Sequence, residues 1–162
     1  MTDYRIIRAE RAHLRFCAES RYEVFRDDKD YTMRKDDFIR ITENYFVDHL
    51  SDENVITLVA VTDACTIGCG TLIVQERLPH IEIYENKRGY ILNVFVKPEF
   101  RGCGIAKMLM RALHEEAVRK NVAVIDLHAA DKAYSLYLAL GYTHNENCLE
   151  FDIRSAIDNR NV

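Results

Sequence analysis

The stretch FVKPEFRGCGIAKML, Phe95 to Leu109, contains two glycines that stand one residue apart, Gly102 and Gly104. An apolar run precedes these glycines, and a helical pattern of apolar residues follows them. Glycine is costly at such a place unless the backbone must bend sharply or let another group come very close. A glycine turn between a strand and a helix presents unpaired amide groups at the positive end of the helix dipole. The stretch therefore predicts an anion-binding loop.

Three phosphate-binding loops and a plain helix cap compete as interpretations of this stretch. A P-loop needs GxxxxGK[ST], and neither the spacing from Gly102 to Lys107 nor Met108 provides it. A dinucleotide fingerprint needs GxGxxG, but Lys107 stands at the third glycine position and too little chain follows for a doubly wound domain. A simple cap needs one glycine and no preceding arginine. The remaining pattern, [RQ]xxGx[GA], fits Arg101 to Ala106 at every position.

Composition describes an ordinary globular protein and argues against two classes of partner. The chain has 162 residues, of which 48% are hydrophobic and 30% charged. Its net charge of −4 and the lack of a basic stripe argue against a nucleic-acid partner. The charged N-terminus has no signal-like apolar region, and no apolar run approaches the ~20 residues that span a bilayer. These observations predict a soluble, cytoplasmic protein with no membrane partner.

The cysteines predict free thiols rather than disulfides or a metal site. Cys65 and Cys69 form a CxxxC pair, but no second pair or histidine array completes a zinc site. An odd number of cysteines without a cluster is typical of a reducing cytosol. The five cysteines are Cys17, Cys65, Cys69, Cys103 and Cys148.

The first half of the chain predicts two helices and an antiparallel hairpin. Apolar residues on one face of the second helix include Phe38, Ile41, Tyr45 and Phe46. The charge-rich segment Arg26 to Asp37 and the polar segment Glu76 to Gly89 predict loops. The predicted elements are a strand over Tyr4 to Ala9, helices over Glu10 to Asp27 and Phe38 to Leu50, and hairpin strands over Asn54 to Thr62 and Ile67 to Gln75.

The second half of the chain predicts alternating strands and helices. Such alternation implies parallel pairing through a right-handed crossover, so the sheet is mixed and has helices on both faces. No linker or repeat interrupts the chain, which predicts one domain over residues 1–162. The predicted elements are a strand over Tyr90 to Lys97, a helix after the glycines, a strand over Val122 to Leu127, a helix over Lys132 to Leu140 and a final strand over Leu149 to Ile153.

Two motifs together resemble one family, the GNAT superfamily of acyl-CoA N-acyltransferases. Arg101 to Ala106 match its pyrophosphate loop, and the segment LYLALGY resembles its LYxxxGF signature, with Tyr142 in place of phenylalanine. The order of elements from Tyr90 to Ile153 also resembles the family. The resemblance implies a mixed α/β sheet in which a parallel strand pair surrounds the cofactor cleft.

The resemblance further implies that acetyl-CoA is the cosubstrate and a primary amine of a small molecule or peptide the acceptor, with no metal. Loop amides are expected to hold the pyrophosphate, and the strand before the loop lies beside the pantetheine arm. A backbone N–H at about Val94 or Phe95 is expected to polarise the thioester carbonyl. The expected cofactor-binding residues are Val94, Phe95, Val96, Arg101, Gly102, Cys103, Gly104, Ile105 and Ala106.

Tyr137 and His128 are the expected catalytic residues. Tyr137 matches the family's general-acid tyrosine, which protonates the departing thiolate; the alternative is a tyrosine that only packs in the core. His128 is the second-last residue of the segment VIDLHA, at a place where relatives carry the general base. A hydrogen-bonded strand-end histidine and a water-mediated deprotonation are the alternatives. Asp126 stands two residues before His128 and is expected either to face it or to pair elsewhere.

Three further expectations concern Asp131, a rival function and the oligomeric state. Asp131 stands near the place where many relatives carry a cofactor-binding asparagine, or it is the N-cap of the last helix. The rival function is a non-catalytic module that senses acyl-CoA. A homodimer is expected from related families, and the sequence does not indicate which amine is the acceptor.

Overall fold

The computed structural model describes residues 3–26, 33–78, 81 and 86–144. The chain divides into two compact units, Met1–His128 and Ala129–Val162. The assignment of one domain to the whole chain stays a prediction. Within the described residues, no helix is long and apolar enough to cross a membrane.

The described residues of the first unit form a five-stranded mixed sheet with the strands in sequence order. Strands β1 to β4 pair antiparallel, and β4 pairs with β5 in parallel, as the sequence predicts. All seven residues of β2 are buried, which matches its nearly continuous run of apolar residues. The strands are β1 (Arg5–Arg8), β2 (Val55–Val61), β3 (Thr66–Glu76), β4 (Lys87–Val96) and β5 (Val124–Leu127).

The described residues form four α-helices, and the first two of these pack against each other. The Arg15 guanidinium donates to the Glu43 carboxylate at 3.2 Å, and the Tyr22 and Phe38 rings meet edge to face. These contacts join the first helix to the second. The helices are α1 (Leu14–Phe25), α2 (Lys35–Asp48), α3 (Ile105–Arg119) and, in the second unit, α4 (Tyr134–Ala139).

Helices lie on both faces of the sheet, and alternation along β3 shows which helix lies on which face. A methyl group built on Gly68 would lie 3.3 Å from Leu109 of α3, and one built on Gly70 would lie 3.0 Å from Leu113. Cys69 points to the opposite face, where it shares a buried cluster with Cys17 of α1. The predicted arrangement of helices is therefore confirmed.

The largest differences from the predicted elements lie at α2. This helix begins at Lys35, so Asp36 and Asp37 belong to its first turn and not to a loop. Acidic side chains stabilise a helix N-terminus through the helix dipole, and this explains why the charged segment continues into the helix. Ile41 and Tyr45, predicted to face inward, are 49% and 38% exposed.

On α2, Ile39 and Phe46 form the buried positions instead. β3 and β4 are also longer than predicted, since β3 continues to Glu76 and β4 begins at Lys87. Just beyond these ends, the Arg77 amide donates to the Asn86 carbonyl at 2.6 Å. The predicted final strand, Leu149 to Ile153, lies outside the described residues.

A β-bulge in β4 separates two parts of this strand. Cys69 of β3 lies opposite Phe95, and Thr71 lies opposite Leu92, so both Asn93 and Val94 face Gly70. Asn93 has a φ of 56°, a conformation that asparagine tolerates better than most residues. Its buried side chain donates to the Cys17 carbonyl of α1 at 3.0 Å. The bulge is thus tied to the helix that covers it.

The parallel pairing of β4 with β5 ends where the bulge begins. Its last paired residues are Ile91 and Leu127. Within the described part of the chain, β4 from Leu92 to Val96 has no strand on its β5 side. This leaves a free backbone edge at the carboxyl end of β4, just before the glycine loop.

We expect Asn93→Ala to lower the free energy of unfolding by ~2–3 kcal/mol, since it loses a buried hydrogen bond and puts alanine at positive φ. Asn121 is the matched control, because it has the same φ of 56° but is exposed. Asn121→Ala should cost about 1 kcal/mol, for backbone strain alone. Urea unfolding of the three proteins measures the difference, and equal losses would show that the contact with Cys17 contributes nothing.

Candidate active site

The glycine loop lies between β4 and α3, and its shape explains both glycines. Gly102 and Gly104 each have a φ of 78°, which glycine adopts without strain. Among the described residues, no atom lies within 4 Å of a methyl group built on either glycine. The glycines are therefore required by the backbone and not by crowding. The side of the loop toward which such methyl groups would point is open within this part of the chain.

The loop presents a row of unpaired amide groups. The first hydrogen bond of α3 runs from the Met108 amide to the Gly104 carbonyl at 3.1 Å. Within the described part of the chain, the amides from Gly102 to Lys107 have no backbone acceptor. The positive end of the α3 dipole lies at the same place. Open space above these donors fits the pyrophosphate of a nucleotide cofactor such as coenzyme A.

Arg101 fastens the loop to β4 instead of extending toward the open side. Its amide donates to the Pro98 carbonyl at 3.2 Å, and its Nε donates to the Val96 carbonyl at 3.0 Å. The guanidinium also lies 5.8 Å from the centre of the Phe95 ring. The row of unpaired amides consequently begins at Gly102. Arg101 holds that row against the free edge of β4.

The other residues of the expected cofactor site lie beside this row. Cys103 is exposed, and its thiol points back to the Arg101 carbonyl at 3.8 Å. Ile105 is 2% exposed and anchors the first turn of α3 in the core, while Ala106 is half-buried.

On β4, the side chains next to the loop point to alternate faces of the sheet. Phe95 meets Phe16 of α1 edge to face, with ring centres 6.2 Å apart. Val94 and Val96 point the other way, toward the α3 face, where they approach Gly70 and Gly68. Both faces of this part of β4 are therefore covered, and its backbone edge on the β5 side is the part left for a ligand.

His128 follows the last residue of β5 and is exposed. Its Nδ1 lies 2.5 Å from the hydroxyl oxygen of Tyr90 on β4. Asp126 does not pair with His128, because its carboxylate accepts a hydrogen bond from Arg88 Nη2 at 3.3 Å. Of the two arrangements expected for Asp126, pairing elsewhere is the one observed.

Tyr90 is the residue of this site that sequence reasoning missed. It falls on the same strand as the expected cofactor edge, opposite Asp126 in the parallel pair. The contact between Tyr90 and His128 depends on the register of β4 against β5. Tyr90 pairs with Asp126 in that register, and this brings the Tyr90 side chain next to that of His128.

The second unit contains the tyrosine expected to act as an acid. Tyr137 on α4 is 8% exposed, and its ring meets that of Tyr142 edge to face at 5.8 Å. Burial raises the pKa of Tyr137 above its ordinary value, because it disfavours the phenolate. Gly141 closes the turn between them with a φ of 92°.

Asp131 begins a 3-10 turn, Asp131–Ala133, that precedes α4. The N-cap residues of this turn and of α4 are Ala130 and Ala133, so the alternative in which Asp131 is the N-cap of the last helix is wrong. Among the described residues, no three histidine, cysteine or acidic side chains form a group able to hold a metal ion.

A family model described as acetyltransferase (GNAT) family matches residues 16–142 of this chain. The chain belongs to the GNAT acetyltransferase family. A comparison with curated proteins found no match.

Solved structures of GNAT proteins share this fold over nearly their whole length. A GCN5-related N-acetyltransferase from Ralstonia eutropha has 22% identity and a TM-score of 0.81, covering 93% of this chain and 99% of its own. A predicted acetyltransferase from Clostridium acetobutylicum, solved with acetyl-CoA, has 20% identity and a TM-score of 0.84, with coverage of 94% and 98%. Glucosamine-6-phosphate N-acetyltransferase from Arabidopsis thaliana has 14% identity and a TM-score of 0.67, with coverage of 93% and 98%. At these identities the likeness concerns the fold alone.

Gly104→Asp should weaken binding of coenzyme A by roughly 100-fold or more. Its carboxylate would enter the open space above the amides, and like charges ~4 Å apart repel by ~4 kcal/mol at an effective dielectric constant of ~20. Gly104→Asn is the matched control, since asparagine has the same shape, tolerates positive φ and carries no charge. Calorimetric titration with coenzyme A measures both variants. Undiminished affinity in Gly104→Asp would remove the loop from the cofactor site.

Proposed function

We propose that this protein transfers an acetyl group from acetyl-CoA to a primary amine of a small molecule or peptide by direct attack. The observation that carries the proposal is the row of unpaired amides from Gly102 to Lys107, which lies beside the free edge of β4. Membership of the GNAT family supports the same conclusion.

Binding in this proposal depends on backbone groups more than on charged side chains. The amides of Gly102 to Ala106 bind the pyrophosphate, and Arg101 keeps them in place through the Val96 carbonyl. The edge of β4 from Val94 to Val96 pairs with the amides of the pantetheine arm, as an added strand would. A backbone N–H at Val94 or Phe95 polarises the thioester carbonyl.

Bound acetyl-CoA supplies an acetyl group activated as a thioester, and two side chains handle the protons. His128 is the base that receives the proton of the cationic amine, and Tyr137 donates a proton to the departing sulfur. Because burial raises the pKa of Tyr137, its hydroxyl stays protonated at neutral pH and is ready to act as an acid.

An assay of thiol release from acetyl-CoA, run over a panel of small amines, polyamines, aminosugars and peptides, tests the proposed function. Acetylation of at least one amine, identified by mass spectrometry, is the expected result. Tight binding of acetyl-CoA without turnover on any amine would favour the rival function, a module that senses acyl-CoA.

When an amine that the protein acetylates is used as the substrate, Tyr137→Phe should lower kcat by ~10²–10⁴-fold and leave the KM for acetyl-CoA nearly unchanged. The lost hydroxyl acts where negative charge develops on sulfur, which is in the transition state. Tyr134→Phe is the matched control on the same helix, because Tyr134 is 45% exposed. Near-full turnover by Tyr137→Phe would leave this tyrosine with a packing role only.

A further inference from the structure

The Tyr90–His128 pair lies on one face of the sheet, at the place where β4 and β5 part. A methyl group built on Gly89 would point at Leu72 and Ile125, on the α3 face. Tyr90 therefore points to the opposite face, which α1 covers in part. The pairing of the two strands ends at the next residue of β4, Ile91. The Tyr90 hydroxyl is thus at the mouth of the gap between the strands.

The hydrogen bond between the two side chains has a preferred direction. A phenol is a good donor, and an unprotonated imidazole nitrogen is a good acceptor, so we assign Tyr90 O–H as the donor to His128 Nδ1 at 2.5 Å. A neutral imidazole has one proton, which then lies on Nε2. In this tautomer the outer nitrogen of His128 carries a proton and cannot take another. In this tautomer a proton reaches His128 at Nδ1, the nitrogen that the Tyr90 hydroxyl contacts.

We propose that Tyr90 is the group that contacts the acceptor amine, and that it relays the amine's proton to His128; this inference rests on the proposed function. The amine R–NH₃⁺ gives one proton to the Tyr90 oxygen, while the original hydroxyl proton moves to Nδ1. The products are R–NH₂, a neutral Tyr90 and a His128 imidazolium, so protons and charge balance. The free lone pair of the amine then attacks the thioester.

The surroundings of the pair suit such a relay. On the same face, Arg88 and Asp126 form an ion pair with Nε and Oδ2 3.3 Å apart, so that the charge of each is offset by its partner. Tyr90 is half-buried and His128 exposed, so the imidazolium that forms is stabilised by water.

The relay makes a prediction that does not need turnover. Nitrogen NMR of protein labelled at histidine should show neutral His128 with its proton on Nε2, and Tyr90→Phe should change the Nδ1 shift as the hydrogen bond disappears. A neutral His128 protonated on Nδ1 would overturn the relay, because Tyr90 would then be the acceptor of the bond.

Kinetics of a double-mutant cycle give the second test, with the amine found active for the wild-type protein. Tyr90→Phe and His128→Gln should each lower kcat by ~10²–10⁴-fold, and the double variant should be no slower than the worse single variant, since the two groups act as one unit. The acid limb of kcat/KM should disappear or move in His128→Gln. Tyr4→Phe is the control, because Tyr4 is also half-buried but precedes β1 at the other edge of the sheet.

The outcomes separate this inference from the proposed function. Absence of turnover by the wild-type protein on every amine contradicts the function and the relay together. An active wild type with an unaffected Tyr90→Phe variant, or with two losses that multiply, contradicts the relay alone. Unchanged affinity for coenzyme A, measured by calorimetry, shows that each variant is folded.

Discussion

The hydrogen bond from Asn93 to the Cys17 carbonyl is the interaction on which the geometry of the candidate site depends. It holds a positive-φ residue in the middle of a buried strand, and so it maintains the bulge that puts Asn93 and Val94 opposite one residue of β3. Regular β4 would continue its ladder with β5. The bulge instead ends that ladder at Ile91 and leaves a backbone edge unpaired. A ligand that carries amide groups can pair with such an edge, and the glycine loop lies between the end of this strand and α3.

Much of the fold follows from local patterns in the sequence. The continuous apolar run of β2, the amphipathic pattern of α3 and the glycines after β4 each have one physical interpretation, and all three elements form where they are expected. The faces of α2 were harder to predict. Ile41 and Tyr45 fit an apolar face as well as Ile39 does, and only the packing of α1 against α2 decides which of them is buried.

The candidate site shows the same division between local and long-range information. The loop of Gly102 and Gly104 was predictable because a backbone with positive φ requires glycine, and glycine is visible in the sequence. The contact between Tyr90 and His128 was not, since the two residues are 38 positions apart and meet only through the register of two parallel strands. The role of Asn93 was also out of reach of local patterns. An asparagine cannot act as a base, and its role in the bulge depends on a contact with Cys17 of α1, 76 residues earlier in the chain.

The use of backbone amides at the loop has a consequence for how the protein responds to its surroundings. Peptide N–H groups do not titrate in water at physiological pH, whereas imidazole does. Under the proposed function, retention of the nucleotide part of the ligand and the chemistry at the amine would therefore depend on different groups. The proposed hold on the cofactor comes from the amides from Gly102 to Lys107, which donate whatever the charge of the side chains around them. A change of pH that alters those side chains would therefore leave the proposed cofactor loop able to bind.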